Sequence, residues 1–140
     1  MGKLGEAEAL SREALAGCRR TLGNEHPDTL LSVSNLGELL KSQGKLGEAE
    51  ALIREALAGF RRALGNEHPS TLRGAGNLGA LLRQLGRPGD AEPLLREAAD
   101  GFRRVLGPDH PYTQAAAAEQ AAFLRARGGR AEAPRGAKHG

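Results

Sequence analysis

The chain has 140 residues, enough for one domain of ordinary size, and is rich in Ala, Leu, Gly, Glu and Arg, with no Trp, one Tyr and three Phe. Scarce aromatic and β-branched residues exclude a strand-rich fold and point to helices. The net charge of +3 comes from residues 125–140, where Arg125, Arg127, Arg130, Arg135 and Lys138 oppose Glu132 for a net of +4, so the first 124 residues stand at −1 and the body lacks the charge of a nucleic-acid binder.

A first helix is expected at 4–22, with Ala7, Leu10, Ala14, Leu15 and Leu22 as its apolar stripe and Arg19 and Arg20 in its last turn. The corner Gly23-Asn24-Glu25-His26-Pro27 leads into a second helix at 27–43, with proline at the first helical position and Leu30, Val33, Leu36 and Leu40 on one face. The third, 46–64, spaces Ala49, Leu52, Ile53, Ala56, Leu57, Phe60 and Leu64 along one continuous helical stripe, and Gly65 is expected to stop it in the left-handed conformation. The fourth, 69–85, contains Gly74, Gly76 and Gly79 and is expected to be the softest. In the fifth, 88–106, Pro93 is read as lying in the first turn, where a missing donor costs little. The sixth, 111–127, carries Ala117, Ala121 and Leu124; residues 129–140 have no stripe and are expected to be a disordered basic tail.

These helices repeat. Leu4-Gly5-Glu6-Ala7-Glu8 returns as Leu46-Gly47-Glu48-Ala49-Glu50, and Gly23-Asn24-Glu25-His26-Pro27 returns from Gly65 and, altered, from Gly107. The offset is always 42 residues, and 29 of 42 positions are identical between 4–45 and 46–87. Two amphipathic helices cannot bury both their faces alone, so stacked pairs are expected to form one array over 1–128, of about three repeats and partial at both ends.

Few residues invite chemistry. His26, His68 and His110 occupy the same corner in successive repeats, roughly 16–20 Å apart at ordinary helix spacing, too far to share one metal ion. Glu6 with Glu8 and Glu48 with Glu50 recur with the repeat and read as solvated helix-start charges. The pairs Arg19–Arg20, Arg61–Arg62 and Arg103–Arg104 form a periodic basic ridge that opposes the helix dipoles; without aromatics for base stacking it is weak as a nucleic-acid surface. Cys18 stands where Phe60 and Phe102 do and reads as a small buried apolar group, and one cysteine allows no internal disulfide. No phosphate loop, nucleophile motif, metal motif or bilayer-length apolar run occurs; no enzyme activity and no cofactor are expected, and a reducing, cytoplasmic setting is.

The pattern Val33, Leu36, Gly37, Leu40, then Ala49, Ile53 and Ala56, repeated as Ala75, Leu78, Gly79, Leu82, then Ala91, Leu95 and Ala98, resembles the tetratricopeptide repeat. The 42-residue length and the phrases Asn35-Leu36-Gly37, Leu64-Gly65-Asn66-Glu67-His68-Pro69 and Ala91-Glu92-Pro93-Leu94 resemble the kinesin light chain type. No heptad coiled coil of the kind that joins a light chain to its motor is present, so the likeness is to the repeat rather than to a motor subunit. The resemblance implies an all-α, right-handed superhelical solenoid of six helices in antiparallel pairs. It also implies a concave groove, lined by the first helix of each pair, that holds extended peptides through asparagines. Asn35 and Asn77 match those asparagines, and the third copy has Glu119 there.

Of the 13 differences between the two best copies, 10 fall within 28–45, the half on the groove side. Repeats that stack alike but contact different things would vary in this way, as would drift on a solvated face. The candidate peptide-binding residues are Leu31, Asn35, Glu38, Arg73, Asn77 and Gln84. The expected partner is a protein or extended peptide, with no membrane and no nucleic acid. The second reading is a structural fragment of a longer array that stacks head to tail on its own copies and takes no peptide.

Overall fold

The computed structural model describes residues 2–139, with side chains described through residue 128. Six helices follow in order: α1 (Lys3–Leu22), α2 (Pro27–Ser42), α3 (Leu46–Leu64), α4 (Pro69–Gln84), α5 (Pro88–Leu106) and α6 (Pro111–His139). The disordered tail expected at 129–140 falls among side chains outside the described ones.

Turns of three or four residues join the helices and set neighbours side by side. Each turn has a local cause. After α2, the Gly44 N–H bonds the Lys41 carbonyl and the Lys45 N–H bonds that of Leu40, a pairing that closes the helix end around Gly44 at φ 81°. Gly86 repeats it after α4. The stops after α1, α3 and α5 differ from the expected left-handed turn: Gly23, Gly65 and Gly107 have φ of 86–87° with ψ of 163–167°. That is mirror-image extended backbone, open to glycine almost alone. Three residues on, His26, His68 and His110 each turn Nδ1 back to accept the backbone N–H two residues ahead, at 3.0 Å, and so cap α2, α4 and α6.

Pro93 corrects one expectation. Helix α5 begins at Pro88, so Pro93 is its sixth residue and lies beyond the first turn. It leaves the Gly89 carbonyl, four residues back, without its helical donor. Pro93 is exposed, as is Gly89.

The core runs the length of the array. Leu30, Val33, Leu36 and Leu40 of α2 pack with Ala49, Ile53, Ala56 and Phe60 of α3, and the next pair repeats this with Leu72, Ala75, Leu78 and Leu82 against Ala91, Leu95, Ala98 and Phe102. Each such side chain contributes about 1.5–3 kcal/mol when large and fully buried. Close approach depends on glycine. A Cβ on Gly37 would stand 2.9 Å from Ile53, one on Gly79 2.9 Å from Leu95, and ones on Gly59 and Gly101 2.4 Å from Leu30 and Leu72.

Backbone contact distinguishes the two sets of helices. The backbone of α2 approaches that of α4, and α4 that of α6, whereas the backbones of α1, α3 and α5 stay apart and meet only through side chains. The even-numbered helices therefore form the inner side of the curved stack and the odd-numbered helices its outer side, as in a helical solenoid.

Candidate protein-binding groove

Two adjoining cavities open on the inner side. The larger, about 720 Å³, is lined by Lys41, Ala80, Arg83, Gln84, Glu92 and Glu119 among others. The smaller, about 280 Å³, lies over Gly76, Ala80, Ala98 and Ala116, with Arg73, Asn77 and Tyr112 at its sides. Lys41, Ala80 and Glu119 belong to both. The hollow exists because α4 presents small residues here: Gly76 and Ala80 stand where α2 carries Ser34 and Glu38.

The structure brings together some of the six residues singled out in the sequence and not others. Arg73 and Asn77 line the smaller cavity and Gln84 the larger. Leu31 and Asn35 are exposed on α2 but line neither. Glu38 is half-buried outside both, and its Oε2 is shielded without a hydrogen-bond partner. Lys41 and Tyr112 were missed. The clue for Lys41 lay in the repeat, since its counterpart is Arg83 and both copies hold a cation there.

The electrostatics follow from the same comparison. Arg83 bonds Glu119, 36 residues on, at 3.2 Å. One repeat earlier those positions hold Lys41 and Asn77, so the cation remains and its carboxylate is gone. Arg73 also makes no ion pair among the described residues. The smaller cavity is thus lined by the Lys41 ammonium, the Arg73 guanidinium, the Asn77 amide and the Glu119 carboxylate, the last already bonded to Arg83.

The outer side is the reverse: many of its charges are paired from one repeat to the next. Arg19 binds Glu55 and Arg61 binds Glu97 through both terminal guanidinium nitrogens, each 36 residues on, and each Arg also holds the Asn of its corner. Arg62 and Arg104 reach back 37 residues to Glu25 and Glu67. The expected basic ridge is therefore largely a neutral ladder between repeats. Hydrogen bonds from Lys45 and Arg12 lower the Glu8 carboxyl to about 2. Arg62 lowers Glu25, Arg87 with Arg54 lowers Glu50, and Arg104 lowers Glu67.

Among the described residues, neither cavity is lined by a Ser, Thr, Cys or His side chain. Cys18 of α1, partly exposed rather than buried, lies 3.7 Å from the Ser32 hydroxyl of α2. No cluster of three metal-ligating side chains occurs among the described residues, and none of the helices described there is long and apolar enough to cross a membrane.

Comparison with known proteins agrees with the architecture. The tetratricopeptide repeat profile matches residues 1–61, 30–104 and 74–133. No curated protein matches the chain. Among solved structures, two forms of the nearly identical tetratricopeptide-like repeats of a Podosopora anserina protein described as a kinesin light chain superpose at TM-scores of 0.74 and 0.72, each with 30% identity over 96% of this chain. BtubC (BKLC) from P. vanneervenii superposes at 0.79 over 90% of this chain with 24% identity, a likeness of fold. The chain spans 63% and 64% of the two Podosopora chains and 50% of BtubC. It belongs to the tetratricopeptide repeat family, with 42-residue repeats of the kinesin light chain type.

Proposed function

We propose that this protein is a non-enzymatic binding scaffold that holds an extended segment of a partner protein along α2, α4 and α6. Tetratricopeptide repeats in general mediate protein–protein interaction; the extended peptide and the residues that hold it are the finer reading. The observation that carries it is that Lys41 and Asn77 stand where the next repeat has the Arg83–Glu119 ion pair, and that Lys41 makes no ion pair among the described residues. A scaffold that needed only internal cohesion would keep the carboxylate. Here the cation is left for a ligand, beside Arg73 and above an apolar floor.

An extended segment suits this site because its free backbone N–H and C=O groups can bond Asn77 and Gln84 without distortion. Its carboxylates can face Lys41 and Arg73, and one apolar side chain can enter the smaller cavity. The test is selection from a random-peptide display pool on the 140-residue chain, followed by Lys41→Glu, Arg73→Glu and Asn77→Ala. Enriched peptides should carry acidic residues, and each substitution should weaken them by tenfold or more. Peptides that bind the triple variant as tightly as the parent would refute the groove.

A further inference from the structure

We infer that Arg83 is a carboxylate-binding subsite of the groove and that Glu119 fills it in the free chain. An acidic side chain of the bound segment displaces Glu119 and takes the Arg83 guanidinium in its place. This rests on the groove reading and extends it into the larger cavity, which that reading engages only at Gln84. Arg83 lies on α4 and Glu119 on α6, and theirs is the one ion pair that joins two inner helices among the described residues.

Three observations mark this pair as exchangeable. The first is its geometry. Arg62 and Arg104 hold Glu25 and Glu67 along one edge of the guanidinium, with Nε and Nη2 each on a carboxylate oxygen. Arg83 holds Glu119 through Nη2 alone, at 3.2 Å, the longest ion pair between repeats among the described residues. A two-pronged carboxylate binds more strongly than a one-pronged one. The second is the donor left over. Arg83 Nε is shielded from water and has no hydrogen-bond partner, a state that costs the free chain stability. Once Glu119 leaves, a carboxylate entering from the larger cavity fills the Nε and Nη2 positions together.

The third is the comparison between repeats. One repeat earlier the same two positions hold Lys41 and Asn77, so α2 and α4 stack without an ion pair there. What Glu119 alters is the groove. It is the one acidic residue lining the smaller cavity among the described residues, and it lines the larger cavity as well. The larger cavity's other carboxylate, Glu92, is bonded to Arg127 at 2.6 Å. A carboxylate fixed at Glu119 repels an acidic segment until it swings aside. The side chains of Arg83 and Glu119 are 37% and 42% exposed, so the pair is loosened by water and the displaced Glu119 has water to turn to. Glu119 thereby raises the acidity that a segment needs in order to bind, which asparagine, as in the other two repeats, would not.

The test is selection from a random-peptide display pool on the 140-residue chain and on Glu119→Gln side by side. Glu119→Gln should bind the peptides enriched on the parent about tenfold more tightly. Its affinity should also fall more steeply with salt, because binding then adds an ion pair where the parent exchanges one for another. Replacing the acidic residues of an enriched peptide by Gln, one at a time, should find one position at which the gain disappears, and Arg83→Gln should weaken the same peptides. Folding is checked by circular dichroism, and Glu119→Asn repeats the measurement if the Gln variant loses helix. Acidic peptides that bind Glu119→Gln no more tightly than the parent would overturn the exchange and leave the groove standing. Enriched peptides without acidic residues, or a gain that no acidic position accounts for, would do the same. No enriched peptide on either protein would overturn the groove reading and the subsite with it.

Discussion

Gly23, Gly65 and Gly107 show how much one residue decides in this fold. Each sits at φ near 87° and ψ near 165°, where any side chain is strained and even asparagine, tolerant of left-handed turns, gains nothing. Gly65→Ala should therefore cost about 1–3 kcal/mol, read as a lowered midpoint in urea, and Gly65→Asn should not recover it. The sequence showed a glycine stop here but not its ψ, because a helix-ending glycine is equally at home in either positive-φ region. The histidines have a similar history. Their place before proline identified them as corner residues, whereas the inward turn of Nδ1 onto its own helix depends on the turn those glycines make.

At the scale of the element, helix boundaries were legible to within a residue for α1 to α5, because the 42-residue repeat allowed each stripe to be read two or three times. Helix α4 keeps the three glycines that marked it as soft, and the structure separates their roles. Gly79 is required, since a Cβ there would collide with Leu95. Gly76 is not: its Cβ would meet only Ala98, at 3.4 Å, the near edge of ordinary contact. Gly76→Ala should raise the stability of α4 by less than about 1 kcal/mol and slow its amide hydrogen exchange relative to α2. Exchange in α4 as slow as in α2 before the substitution would mean that packing on α3, α5 and α6 already offsets the glycine cost. The groove on this helix was legible only in part. Repeat comparison and the family resemblance put Arg73, Asn77 and Gln84 on the face where the two cavities open, but the cavity depends on the absence of bulk at Gly76 and Ala80, which apolar periodicity does not register.

For the whole molecule the ladder of ion pairs matters most, and it was the least legible feature. Partners 36 or 37 residues apart obey no local spacing rule, so the arginine pairs read as helix-end charges and the glutamates as solvated ones until stacking set them side by side. Their lowered carboxyl values carry a pH dependence. Glu8, Glu25, Glu50 and Glu67 bind protons less readily in the folded chain than unfolded, so their contribution is complete above the ordinary glutamate value, about 4.3. It is lost as pH falls through the folded values, about 2 for Glu8. The thermal midpoint should drop between about pH 4.5 and pH 2, and Glu25→Gln with Glu67→Gln should flatten that limb. An acid limb of unchanged slope in the double variant would show the ladder to be decorative. The near-uniform register has an evolutionary consequence as well. Every bond of the ladder spans less than one period, so inserting or deleting a whole 42-residue unit carries donor and acceptor together and strands no charge in the interior. Gene duplication can thus lengthen or shorten such a chain without a compensating mutation, and the reach of the molecule can vary while its internal chemistry stays the same.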